Sequence, residues 1–462
     1  MKTQKSEKEH SRKVKTEGLE NLKQINLNAA GLDIGDREIY VCVPQDRDEN
    51  PVQVFKTFTA SLYHLADWLT KCGITTVAME STGVYWIPIF QILEERGFEV
   101  LLVNAQHIKN VPGKKTDVLD CQWIQQLHTY GLLRGSFRPS EQTCVLRSYV
   151  RHREMLIQCR SSHIQHMQKA LQQMNLKLTN VVSDITGKTG MSIIRDILVG
   201  ERDAVKLAQH RYRNCAKSEG EIAESLVGDY REEHIFSLKQ AVELYDVYNE
   251  KLKACEIEIE QQLAQFSAKI NIEENPLPPR KKNSQPKNNP EKDIRPELYQ
   301  ISGVDLTEIE GVDVITAQVI VSEIGVDMNR WKTVKHFTSW LGLCPHNEKT
   351  GGKVIRTKTK KTNNRANLAL RQAAITLRNS RSGLGQFYRR MRTKMGAPKA
   401  VVATAHKLAR IIYHMLKHQV AYRSVSAQED ETRHRERAIR ELQLKADRLG
   451  GKLTFEPLPQ TA

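Results

Sequence analysis

The sequence predicts an α/β domain at the N-terminus, a long helical spacer, and a mostly α-helical C-terminal domain. Three observations predict this. Between residues 27 and 140, short β-branched runs alternate with segments of helical periodicity. Between 141 and 270, apolar residues recur three and four apart over two long stretches. Beyond a Pro- and Lys-rich segment, glycine-punctuated amphipathic stretches take over from residue 298.

Residues 1–26 are polar, with a charged tract from Lys2 to Lys15 and no apolar signal core. The texture changes at Leu27. Ala29 to Asp33, Glu38 to Val43 and Val52 to Phe58 read as a meander of three strands. Leu62 to Leu69 is helical, and Thr75 to Glu80 is a buried strand ending on an acid. Trp86 to Arg96 is a helix stopped by Gly97, Glu99 to Val103 another buried strand, and Asp117 to Leu132 a helix. Three antiparallel strands followed by alternating helix and strand match an RNase H-like sheet over residues 27–140.

Residues 141–270 form the spacer. Ile164, Met167, Leu171, Met174 and Leu178 mark one seam, and Ile235, Leu238, Val242, Tyr245, Leu252, Ile259, Leu263 and Phe266 a second. Asn249 and Glu256 are its polar exceptions. Such a seam predicts an antiparallel helical hairpin, a coiled-coil contact between copies, or both. Residues 271–297, with Pro276, Pro278, Pro279, Pro286 and Pro290, read as a linker. In the C-terminal domain (298–425), Leu306 to Gly325 reads as two short helices around Gly311, as in a helix-hairpin-helix, and Trp331 to Trp340 as a third. Ala400 to Lys417 is amphipathic, and residues 426–462 form a charged helical tail.

Net charge is +16, from 70 Lys and Arg against 54 Asp and Glu, which points to polyanionic partners. The excess is concentrated. From Lys349 to Gln428 there are 19 Lys and Arg and not one acid. A solvated helical face interleaves signs, so this stretch is a polyanion-binding surface, with Lys349, Lys353, Arg356, Lys358, Lys360, Lys361, Arg365 and Arg371 in its first part. Eight scattered cysteines without a CxxC pair fit reduced thiols, and no apolar run spans a bilayer, so a cytoplasmic protein is expected.

Two constellations carry chemistry. Asp33 and Glu80 each end a buried strand and precede turn-permitting residues (Ile34-Gly35 and Ser81-Thr82-Gly83); strand ends are where an α/β sheet presents a site. Asp117 and Asp120, three apart at a helix start and preceded by Lys114 and Lys115, can reach one cation or simply complement the helix dipole. Four converging carboxylates require neutralisation, for which Mg²⁺ is the natural partner, two ions together suiting phosphodiester chemistry. The second constellation is Pro345 to Lys353. Thr350 followed by Gly351-Gly352 lets backbone approach a phosphate, with Lys349 and Lys353 at hand. A plain basic turn fits that stretch as well.

These residues carry a resemblance. Gly31-Leu32-Asp33-Ile34-Gly35, Met79-Glu80-Ser81-Thr82-Gly83-Val84-Tyr85-Trp86 and Lys115-Thr116-Asp117-Val118-Leu119-Asp120 resemble the RuvC-like DEDD domain of one insertion-sequence transposase family, the bridge-RNA-guided recombinases (family "one-ten"). Trp340-Leu341-Gly342-Leu343-Cys344-Pro345, Thr350-Gly351-Gly352-Lys353 and Asn364-Arg365-Ala366 resemble its C-terminal, serine-type transposase domain. The resemblance implies Mg²⁺ on Asp33, Glu80, Asp117 and Asp120, and a hydroxyl nucleophile at Thr350 where many relatives carry serine. It further implies DNA element ends and target as substrates, a non-coding guide RNA, and a homodimer or homotetramer assembled through the spacer. Two other readings stand beside it: a metal-dependent nuclease or junction resolvase, and a catalytically dead RNA- and DNA-binding relative.

Overall fold

The computed structural model describes residues 22–81, 83–104, 117–279, 288–351, 353–360 and 362–454. The side chains of Asp117, His346, Glu348, Lys349, Val354 and Arg356 lie outside that description, as do Lys114, Lys115, Gly352 and Lys361 altogether. The chain divides into two compact units after Arg138.

In the first unit β1 (Ala29–Ile34), β2 (Glu38–Cys42) and β3 (Val52–Lys56) form the expected antiparallel meander. α1 (Thr59–Lys71) leads to β4 (Thr76–Glu80), and α2 (Trp86–Glu95) to β5 (Glu99–Val103). β4 pairs parallel with both β1 and β5, giving the order β3-β2-β1-β4-β5. This mixed sheet is consistent with an RNase H-like domain. Side-chain alternation divides its two faces. Leu32, Ile34, Val77 and Met79 pack against Leu62, Leu65 and Leu69 of α1 and Ile89 and Leu93 of α2. The opposite face is covered by α3 (Asp117–Thr129), whose Ile124 packs on Ala78 and Val103 and whose Val118 and Cys121 pack on Cys42. α1 begins three residues before its apolar pattern does, because Thr59, Ala60 and Ser61 give no periodic signal.

In the second unit α4 (Glu141–Gln173) starts at Ser140, whose side chain accepts from the Thr143 N–H. A small helical cluster follows: α5 (Leu178–Val181), α6 (Lys188–Leu198), α7 (Ala204–Ala208) and α8 (Glu219–Ser225). α9 (Glu232–Ala264) then returns along α4. The two long helices are antiparallel, since Arg153 meets Glu256 while Arg160, farther along α4, meets Asn249, earlier on α9. Ile235, Leu238, Val242, Leu252, Ile259 and Leu263 are all buried within the chain.

The polar exceptions in that seam have partners. Glu256 accepts from buried Arg153 at 2.6 and 2.8 Å, and Arg153 also donates to the Asn288 carbonyl at 2.7 Å. Arg160 bridges Asn249 Oδ1 and Asn288 Oδ1, both at 2.9 Å. Residues 288–291, read from sequence as linker, are therefore pinned to the helix pair, with Pro290 buried and the Glu291 N–H on Glu256.

The chain continues through α10 (Arg295–Ser302), α11 (Val314–Ile324) and α12 (Val334–Trp340). Leu306–Glu308 is one 3-10 turn rather than a helix, and an added Cβ on Gly311 would lie 2.7 Å from the Ala373 carbonyl. Gly311 thus packs against its own domain, which removes the helix-hairpin-helix reading. β6 (Pro345–Thr350) and β7 (Lys353–Thr359) make an antiparallel hairpin that sequence reasoning missed. α13 (Arg365–Thr376), α14 (Gly383–Met395), α15 (Ala397–His418) and α16 (Ala427–Arg448) complete the unit. Trp331, Phe337, Trp340 and Tyr413 form its aromatic centre, and buried Asn367 holds the turn after α12 by donating to the Leu341 carbonyl at 2.7 Å.

Candidate active site

Asp33 and Glu80 stand at the same level of the sheet. The register pairs Leu32 with Met79, so the next residue on each parallel strand is the acid. Alternation sends both towards the face that α3 covers, and both are half-buried.

α3 is held against this face with unusual closeness. An ideal Cβ on Gly31 would lie 2.3 Å from the Gln125 nitrogen and 2.5 Å from the Cys121 carbonyl oxygen. Only glycine lets the helix backbone rest there. α3 runs opposite to β1: the Thr129 carbonyl at its end accepts from Ile25 and Asn26, just ahead of β1, at 2.8 and 2.9 Å. From Gly31 to Asp33 the strand advances roughly 6.6 Å. A helix rising about 1.5 Å per residue covers that in about four residues. The level of Asp33 is therefore that of the first turn of α3, where Asp117 and Asp120 are. An independent sign agrees. The Cys121 thiol is pushed far up by burial, then by Cys42 and by the nearby Asp33 carboxylate. Burial also pushes the Cys42 thiol up to about 12, so both stay protonated and neither competes for a cation.

Asp33 and Glu80 thus stand side by side at one end of the sheet, at the level of the first turn of α3, the turn that runs from Asp117 to Asp120. Among the described residues no three acidic, histidine or cysteine side chains are close enough to cage an ion by themselves. The donor set is oxygen-only, as a hard divalent cation prefers. The residues fit such an ion in chemistry.

Thr350 occupies a different setting. It ends β6, pairs with Lys353, and lies exposed at the hairpin tip. Gly351 follows at φ +55°, in the left-handed region that a two-residue hairpin turn demands, with open space around it. The register slips between Glu348 and Lys349, a bulge that re-aims the tip. Lys353, Lys358 and Lys360 are exposed on β7 and just beyond it, and Arg371 is exposed on α13. Lys349 and Arg356 belong to the hairpin strands. Arg365 is already engaged, pairing with Glu154 of α4.

Residues 30–176 match a family described as a transposase, of the DEDD type of IS110 elements, and residues 305–389 match the family described as Transposase IS116/IS110/IS902. The chain carries both domains of an IS110-family transposase. The first match spans all four acids, and the second spans Thr350 and its hairpin. No curated protein matches the chain. A transposase of an insertion sequence acts on DNA, and a DEDD domain implies dependence on a divalent metal. No helix among the described residues is long and apolar enough to cross a membrane.

The transposase also has a cluster of cations that the sequence did not single out by residue, three of them inside the acid-free run Lys349–Gln428 and two in the charged tail beyond it. Arg390, Lys407, Arg410, Arg433 and Arg437 line one cavity of about 900 Å³. Their signal was present in the three-and-four spacing of Lys407, Arg410 and His414 along α15.

Proposed function

We propose that this transposase cleaves and rejoins DNA through a covalent phosphothreonine intermediate. Asp33, Glu80, Asp117 and Asp120 would hold Mg²⁺, with two ions accommodated by four carboxylates. Bound there, the metal would supply charge neutralisation and orientation at the scissile phosphate. The observation that carries the reading is the placement of Asp33 and Glu80 side by side at parallel strand ends, under the helix that Asp117 begins.

In the proposed step the Thr350 Oγ1 attacks phosphorus. The new bond joins Oγ1 to phosphorus and the bond to the 3′ oxygen breaks, leaving a 5′-phosphothreonine. The threonine proton passes to solvent, and the departing 3′ oxygen takes up a proton. A 3′-hydroxyl from another strand reverses the exchange and rejoins DNA. The exposed tip, with Gly351 behind it, leaves that hydroxyl open to an incoming backbone. Its β-methyl narrows χ1 relative to serine but leaves the oxygen in place.

Lys114, Lys115, Lys349, Gly351, Gly352, Lys353, Arg356, Lys358, Lys360, Lys361, Arg365 and Arg371 are proposed to line the path of nucleic acid, which includes the element ends, the target and a non-coding guide RNA. The acid-free run from Lys349 to Gln428 supports that surface. A cytoplasmic homodimer or homotetramer is proposed as the working form. Because the α4–α9 seam is spent within the chain, exposed apolar residues such as Phe236, Leu244, Val247 and Ile257 on α9 are the proposed contact for a second copy.

The test is to incubate the protein with Mg²⁺, the RNA flanking its gene and supercoiled DNA carrying the element ends. Protein covalently joined to DNA is expected, and Thr350→Ala should abolish it. An adduct that persists in Thr350→Ala would sink the nucleophile. Free 5′-phosphate ends without an adduct would point instead to a metal-dependent nuclease, and tight RNA binding without cleavage to a dead relative.

A further inference from the structure

The cavity between α14, α15 and α16 has a composition that calls for an occupant. Arg390, Lys407, Arg410, Arg423, Arg433 and Arg437 border it, against a single carboxylate, Asp430. His406, His414 and His434 add to the same walls. Six cations around about 900 Å³ outnumber the three acids paired with them, Glu429, Asp430 and Glu431, and so favour a further anion among them. The floor is different in kind: Leu384, Phe387, Met391 and Ile411 make it apolar.

Acids at the head of α16 presently serve as the anions: Glu429 pairs with Arg433 and Arg423, and the central one is Asp430. Its carboxylate accepts from Arg390 at 2.8 Å and from Lys407 at 3.4 Å, while Glu431 accepts from Arg390 at 3.3 Å. Lys407 Nζ stands over the Phe387 ring, 4.3 Å from its centroid. The first turn of α16 is seated by Gly383, where a Cβ would come within 3.2 Å of the Asp430 Cβ and 2.8 Å of the Val425 carbonyl. Beyond that turn α16 has no buried residue. Its attachment is therefore largely ionic, and a competing anion can replace it.

We propose that this cleft binds an unpaired nucleic-acid strand, with phosphates on Arg390, Lys407, Arg410 and Arg437, a base against Phe387, and Asp430 as the internal anion that the strand displaces. A cationic rim over an aromatic floor suits a strand whose bases are free to leave the stack, which a duplex does not offer. The inference rests on the reading of the chain as a nucleic-acid enzyme, and it adds a site outside the hairpin and the carboxylates.

Full-length protein carrying Asp33→Asn, which separates binding from cleavage, would be titrated at one salt concentration into fluorescein-labelled oligothymidylate, oligouridylate and a DNA duplex of equal length, following anisotropy. With Arg410→Glu and Arg437→Glu together, single-strand affinity should fall at least about tenfold and duplex affinity at most about twofold. Asp430→Asn should tighten single-strand binding by roughly threefold, because the cations lose their competitor. Phe387→Leu, which keeps the floor apolar, should weaken single strands alone. The two single-stranded probes separate DNA from RNA as the source. Equal losses for duplex and single strand would overturn the proposal, marking a general electrostatic surface, as would weaker binding by Asp430→Asn at an unchanged melting midpoint. Failure of the parent protein to bind any probe would remove the nucleic-acid reading along with it.

Discussion

The carboxylate end of the sheet and the Thr350 hairpin are built in opposite ways. Asp33 and Glu80 sit at the ends of fully buried strands, and the helix facing them is pressed onto Gly31 backbone to backbone. Thr350 lies at the tip of a two-stranded ribbon with exposed residues along it, including Ile355 at 69% exposure. On the proposed mechanism, the difference is what two-part phosphoryl transfer asks for. Charges that neutralise a transition state must be held in place beforehand, whereas a nucleophile must travel to phosphorus and keep a bond to it while strands exchange.

The comparison breaks most sharply at the acids. Asp33→Asn should lower DNA cleavage by roughly 10²–10³-fold while the protein stays folded. Next comes Gly31→Val. Its side chain meets helix backbone that cannot yield, so we expect a loss of about 3 kcal/mol or more in stability, with cleavage lost alongside. Chemical denaturation and a plasmid-nicking assay read both effects. If Gly31→Val left both unchanged, the rigid half of the contrast would be wrong.

A third effect is a pH dependence confined to the rigid side. His128 is buried at the end of α3, 2.8 Å from Thr76 Oγ1. The Thr76 hydroxyl proton is already donated to the Glu99 carbonyl at 3.0 Å, so the ring N–H donates to Thr76. Burial lowers its pKa from 6.5 to about 4. Between those values the unfolded chain binds a proton that the folded domain does not. Stability is thus whole above pH 6.5 and declines as pH falls towards 4, by roughly 2–3 kcal/mol. His128→Gln should flatten that slope in denaturation curves taken from pH 7 to pH 4.5. The smallest effect belongs to the hairpin. Gly351→Ala places a side chain at φ +55° with nothing to strike, so a local cost of about 1 kcal/mol and a few-fold loss of cleavage are expected, without any shift in melting.

The sheet was legible because its strands are short apolar runs between turn residues, and two of them, β1 and β4, carry an acid at the C-terminal end, a pattern that burial alone does not produce. Asp33 and Glu80 could be paired from that pattern; their equal level required the parallel register. The proximity of α3 was carried by one residue, Gly31, whose lack of a side chain leaves no periodic mark. The β6–β7 hairpin escaped notice because Pro345 to Thr350 is polar throughout, without the apolar alternation that marks a half-buried strand. Val354, Ile355, Thr357 and Thr359 were the available signal, obscured by the lysines and arginine between them. Asn249 and Glu256 were visible as exceptions in a seam, but their partner arginines lie some ninety to a hundred residues away in sequence, beyond the reach of periodicity.

Those arginines give α4 a mechanical character. Arg147 and Arg151 both grip Glu323 at the end of α11, Arg153 holds Glu256 and the Asn288 carbonyl, and Glu154 takes Arg365 at the head of α13. A 33-residue helix is a rod about 50 Å long. Here its first half is bolted at successive faces to α9, α11 and α13, and its far half packs along α9 into the small helical cluster. Breaking one buried bolt, such as Arg153 to Glu256, costs about 3–5 kcal/mol. A load at the cluster end, from a partner or a bound strand, therefore reaches the domain that carries Thr350 through the α4–α9 pair acting as one shaft.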